Sequence, residues 1–182
     1  MTASTRLALT RSTLRLFDDA AALKVALSYG LGMQDGPIWG PIGVAGNLFT
    51  LAYLQAEKIG WLIDTGLLKV SEETEFKVKT SHKLFWSLYA FVGLVKSIRA
   101  LHASAQLLKS RQRPRCAQAR FTQASLTTTK LLLDVVHVVS WLPRGWLWGS
   151  ALQTQHASGI ATLAAIMGLV VHYNGMRLLP RK

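Results

Sequence analysis

The chain is expected to be all-α: an integral membrane helical bundle of five to six helices, with an N-terminal amphipathic helix and a C-terminal transmembrane helix. Three observations predict this. First, Gly145 to Met176 contains no Asp, Glu, Lys or Arg. A bilayer core of about 30 Å needs about 20 mostly apolar residues in helical form. Residues 157–176 supply them, and Arg177, Arg181 and Lys182 follow as headgroup anchors. Second, 50% of residues are hydrophobic and only 16% are charged, a balance that leans towards membrane or a very apolar helical core. Third, no strand-like alternation persists, whereas glycines and prolines mark joints between helix-length apolar runs. A length of 182 residues fits one domain.

Residues 5–29 read as the first helix. They contain no proline, and Gly30 and Gly32 end the pattern. At 100° per residue, Leu9, Leu16, Ala20, Leu23 and Leu27 share one stripe, and Leu7, Leu14, Ala21 and Val25 a second, with Phe17 at its edge. The opposite wedge holds Arg11, Arg15, Asp18 and Asp19, and Arg15 is spaced to pair with both acids. The pattern suits one helix of a bundle. It equally suits a helix lying in the membrane surface.

A Gly/Pro hinge, residues 30–43, leads into an apolar helix over 43–64. Its glycines do not form a phosphate cradle, because Pro37 and Pro41 interrupt them and no P-loop lysine follows. Residues 71–79 are a polar connector and candidate helix start. The third helix is expected over 81–109, as a probable span. Its apolar block, Leu84 to Val95, is too short to cross alone, and extending it brings in Lys96 and Arg99. A cation at the bilayer centre costs roughly 2.5–3.5 kcal/mol, less where it snorkels to a surface. A basic linker follows at 109–121, then a helix over 123–142 and the transmembrane helix over 157–176. In that last helix Ala157, Ala161, Ala164, Gly168 and Gly175 line one side. Small residues let helices approach closely in lipid, within one chain or between copies.

Charge is uneven. The chain has 21 Lys and Arg against 9 Asp and Glu, for a net charge of +12, and no acid lies between Glu75 and Asp134. Such a block suits anionic headgroups. Nucleic acid is not expected as a partner, since the aromatics sit in apolar runs and no nucleic-acid motif is present. The lone Cys116 excludes an intrachain disulfide. The five histidines have no zinc-ligand spacing, and Asp134 and His137, one helical turn apart, have no nucleophile beside them. No catalytic residue, metal or cofactor is expected.

Several stretches resemble the peroxin-11 family, most closely its gamma-type (C-type) members. One is Arg15-Leu16-Phe17-Asp18-Asp19 with Tyr29-Gly30-Leu31-Gly32. A second is Gly46-Asn47-Leu48 with Glu57, Trp61 and Asp64. The third is Ser140-Trp141-Leu142-Pro143-Arg144-Gly145 with Leu147-Trp148. The similarity covers roughly residues 10–176. It implies a multi-pass peroxisomal membrane protein with both termini in the cytosol, one span near 83–105 and another near 157–175. It also implies a role in peroxisome elongation, proliferation and fission, exerted through an amphipathic helix near the N-terminus. Implied partners are membrane lipids, copies of itself or related peroxins, and the dynamin-type fission machinery with its membrane adaptors. Leu9, Arg11, Arg15, Leu16, Phe17 and Leu23 are the expected membrane-contacting residues. The chain begins almost at this helix, where family members usually carry a further segment, and is read as N-terminally short. Two other readings stand beside this one. The small-residue stripe and the histidines of the apolar helices suggest a pore or carrier for small metabolites. The Arg-, Ser- and Thr-rich start suggests a mitochondrial membrane subunit.

Overall fold

A computed structural model describes residues 9–10, 12–109 and 114–178 of the chain. All regular structure among them is helical. The helices are α1 (Asp19–Tyr29), α2 (Gly36–Asp64), α3 (Glu72–Lys109), α4 (Pro114–Ser140) and α5 (Thr154–Leu178), with a 3-10 turn, Met33–Asp35, between α1 and α2. The chain divides into two compact units, Met1–Tyr89 and Ala90–Lys182, so the division falls within α3.

In the first unit the expected continuous helix over 5–29 is interrupted. Residues 9–10 and 12–14 are helical, residues 15–18 form a turn, and α1 follows. Hydrogen bonds from the Arg15, Leu16 and Asp18 N–H groups reach back three residues, to Ser12, Thr13 and Arg15. That tightens the chain as a 3-10 turn does. Residues 5–8 of the expected helix lie outside the described residues.

Helix α2 starts at Gly36, well before the expected position 43. Pro37 lies in its first turn, where no intrahelical N–H is needed. Pro41 lies inside it and removes one bond of the ladder. The glycines of this segment are a packing face. A Cβ on Gly40 would lie 2.5 Å from the Gly32 carbonyl oxygen, and one on Gly43 would lie 2.0 Å from the Tyr29 hydroxyl. The Tyr29 ring and the Leu31–Gly32 backbone thus lie directly on α2. Gly32 itself turns the chain at φ +69, a conformation glycine adopts without steric cost. The Tyr29 hydroxyl donates to Asp35 Oδ2 at 2.5 Å.

Helix α3 begins within residues 71–79, the polar connector and candidate helix start. Ser71 Oγ accepts from the Thr74 N–H at 3.3 Å, and Glu72, Glu73 and Glu75 occupy the first turn. Cap and acids both favour a helix N-terminus.

In the second unit α4 takes in most of the expected basic linker. It starts at Pro114, since proline suits the first helical position. Cys116, in its first turn, is exposed. The core of this unit runs through Ala117, Val135, Val138, Val139 and Leu142 of α4 and its end, and Ala157 and Ala164 of α5.

Among the described residues two helices are long and apolar enough to cross a bilayer, α3 and α5. Only 17% and 11% of their most apolar windows are buried within the fold. A core helix of a soluble protein would be mostly covered, so these helices present apolar surface outward.

Candidate functional site

The N-terminal segment meets α2 through its charged side chains. Arg15 Nη1 donates to the Tyr53 hydroxyl at 2.6 Å and lies 3.4 Å from Glu57 Oε2. Its Nε donates to Asp18 Oδ2 at 3.3 Å. The guanidinium also sits 5.2 Å from the centre of the Tyr53 ring, within cation–π range. Burial works against its charge, but Tyr53, Glu57 and Asp18 outweigh that and hold its pKa above the ordinary value. Asp19 turns the other way. It pairs with Lys58 and accepts from Gln55 Nε2 at 3.1 Å. The Lys58 hydrogen bond is the main cause that lowers its pKa. The Trp61 indole N–H donates to Thr13 Oγ1 at 2.9 Å, and Asp64 pairs with Lys79 at 2.9 Å. Arg15, Asp19, Glu57, Trp61 and Asp64, chosen from separate stretches, thus all act where the segment, α2 and the start of α3 meet.

With Arg15 and Asp19 tied inward, several large apolar side chains face out. Phe17 is 87% exposed and Leu27 72%, and Leu14, Leu23, Val25, Leu31 and Met33 are exposed as well. Of the expected membrane-contacting residues, Phe17 and Leu23 lie on this face, whereas Leu9 and Leu16 are partly buried. Arg15 is engaged by α2, and Arg11 lies outside the described residues. Periodicity placed Arg15 on a polar wedge. It held no sign that the wedge would be satisfied by Tyr53 and Glu57, which are remote in sequence. Leu14, Val25 and Leu27 were visible as members of the two stripes. Leu31 and Met33, beyond the helix end, were not.

The small-residue stripe of α5 faces α4. Ala157 and Ala164 are buried, and Ala161 is partly so. A Cβ on Gly168 would lie 3.8 Å from Lys130 Cε, and one on Gly175 3.3 Å from Gln123 Nε2. Polar contacts accompany this packing. Asn174 Nδ2 donates to Gln123 Oε1 at 2.7 Å, Gln123 Nε2 donates to the Val171 carbonyl at 3.2 Å, and His137 Nδ1 lies 3.0 Å from the Ala157 carbonyl. Asp134 pairs with Lys130, so the Asp134 and His137 side chains serve different local contacts.

Residues 141–151 form a closely bonded loop between α4 and α5. The Ser150 N–H donates to the Ser140 carbonyl at 3.0 Å, Ser150 Oγ to the Leu142 carbonyl at 3.1 Å, and the Trp148 indole N–H to the Val136 carbonyl at 3.1 Å. Leu142 and Gly149 are buried beneath it. A recess of about 470 Å³ lies elsewhere in this unit, with Ala100, Leu107, Arg120 and Ala124 in its wall.

Comparison with known proteins gives this arrangement a context. The family model for Peroxisomal biogenesis factor 11 (PEX11) matches residues 1–171. Peroxisomal membrane protein 11C of Homo sapiens is 29% identical over 177 residues, covering 91% of this chain and 72% of that protein. Peroxisomal membrane protein 11C of Mus musculus is 29% identical over 170 residues, covering 86% of this chain and 68% of that protein. No solved structure matches the chain. The matched family is one of peroxisomal membrane biogenesis factors. The chain therefore belongs to the Peroxisomal biogenesis factor 11 family.

Proposed function

We propose that this chain shapes the peroxisomal membrane, promoting its elongation, proliferation and fission. One observation carries the reading: Arg15 and Asp19 turn to α2, while Leu14, Phe17, Leu23, Val25 and Leu27 are exposed. A surface helix of a soluble domain does the reverse. An outward apolar face containing Phe17, Leu23 and Leu27 suits the headgroup–acyl boundary, where it expands one leaflet and favours curvature. Helices α3 and α5 cross the bilayer, α3 near 83–105 with Lys96 and Arg99 snorkelling towards one surface, and α5 near 157–175. Both termini then face the cytosol, where copies of the chain, related peroxins and the dynamin-type fission machinery meet it.

The test is liposome tubulation by the full-length chain. Phe17→Glu and Leu27→Glu are expected to abolish tubulation while α3 and α5 still hold the protein in the vesicles. Tubulation equal to wild type in both variants would overturn the wedge. A second reading, passage of small metabolites, is favoured by the recess beside Arg120. Solute flux into proteoliposomes that do not deform separates it from the first. The mitochondrial reading rested on composition alone, and both relatives are named for the peroxisomal membrane instead.

A further inference from the structure

We propose that the loop between α4 and α5, residues 141–148, is a second membrane contact, seated in the interfacial layer of the bilayer that α5 crosses. Its floor is rigid. Besides the bonds from Ser150 and Trp148, the Trp146 N–H donates to the Pro143 carbonyl at 3.2 Å and the Gly149 N–H to the Trp146 carbonyl at 2.8 Å. A Cβ on Gly149 would lie 2.4 Å from the Pro143 carbonyl oxygen, so the turn closes on itself without room for a side chain. The rim built on this floor is apolar and open. Trp141, Trp146 and Trp148 are exposed, and Leu147 is 70% exposed. Leu147 also holds φ at 53, a left-handed conformation that a leucine rarely adopts. A rigid turn that spends backbone strain to point a leucine away from its own core is built for something outside the chain.

Three features name the occupant. Tryptophan rings concentrate at the membrane–water boundary; here the Trp141 and Trp148 N–H groups are held by His137 and by the Val136 carbonyl, which fixes their rings on the rim. Arg144 lies on the same turn, is exposed, and complements headgroup phosphate. The loop is also tethered to the span. Ser150 is four residues before Thr154, the first residue of α5, a reach of at most about 14 Å of extended chain. If α5 crosses the bilayer, this rim cannot stand far from its surface. The contact rests on the proposed span by α5, and not on the wedge.

Site-directed spin labelling tests it in the full-length protein, on a Cys116→Ser background, in vesicles of phosphatidylcholine and phosphatidylethanolamine. Nitroxides are placed at Leu147→Cys, at Leu163→Cys on the exposed side of α5, and at Leu67→Cys in the loop after α2. Oxygen dissolves in lipid and a nickel chelate in water, so their relative effect reports depth. The expected oxygen-to-nickel ratio at 147 is several-fold above that at 67 and below that at 163. A ratio at 147 equal to that at 67, with 163 in lipid, overturns the loop contact alone. A watery 163 overturns the span and the loop contact together. Shielding of 147 from both agents means a protein contact and also overturns the proposal. Trp146→Cys, where the backbone has no positive φ, repeats the measurement if Leu147→Cys fails to fold.

Discussion

At the scale of single residues, the decisive contacts join positions that no local pattern connects. Gly43 shows this most directly. Five glycines in a proline-marked stretch, residues 30–43, signalled a hinge. Two of them, Gly40 and Gly43, in fact let the Gly32 backbone and the Tyr29 ring lie on α2. Gly43→Ala would place a methyl group 2.0 Å from a hydroxyl that is held by Asp35. The expected loss is about 1–3 kcal/mol, as for overpacking elsewhere, read as a lower melting temperature of the detergent-solubilised protein. Asp19 gives a pH signature with a definite sign. Its carboxyl pKa is lowered in the fold by Lys58, and an unfolded aspartate titrates near about pH 3.9. Its contribution is therefore complete above that pH and is lost as pH falls through the lower folded pKa. Thermal melts across the acid range are expected to show this loss, and Asp19→Asn to remove that part of the slope.

At the scale of elements, the four longer helices were all legible as helices, because runs of apolar residues between glycine and proline joints leave little else to form. Their starts were the weak point. Helix α2 opens at Gly36 despite two prolines, α3 opens on the acids after Ser71, and α4 opens at Pro114 within a cationic run. In each case a residue that looks like a breaker or a solvated loop is well suited to a first turn, where N–H groups need no partner and acids meet the helix dipole. The stripe on α5 was legible too, although whether it faced a second copy or its own chain was not. The contact with α4 makes two substitutions diverge. Ala164→Leu, at a buried position, is expected to cost about 1–3 kcal/mol and to lower the melting temperature. Gly159→Ala, where a Cβ meets nothing within 4 Å, is expected to be neutral or to stabilise by up to about 1 kcal/mol through helix propensity. Equal effects of the two in parallel melts would show that α5 does not use this face.

At the scale of the whole molecule, what the sequence made visible was a sum of apolar and cationic residues. What it could not make visible was the direction in which they point. The outward apolar face of residues 9–33 depends on Arg15 and Asp19 being captured by Tyr53, Glu57 and Lys58, a choice made only when distant segments pack. The exposed thiol of Cys116 has a practical consequence of the same kind. It is the chain's single cysteine and lies between the two helices long enough to span. The native protein therefore reports its own sidedness. Gln123 of α4 lies against Val171 and Asn174 of α5, so Cys116 stands at the C-terminal end of α5, and if that end faces the cytosol, as proposed, a membrane-impermeant maleimide should mark the protein in intact peroxisomes. Labelling only after permeabilisation would put that end of α5 on the lumenal face.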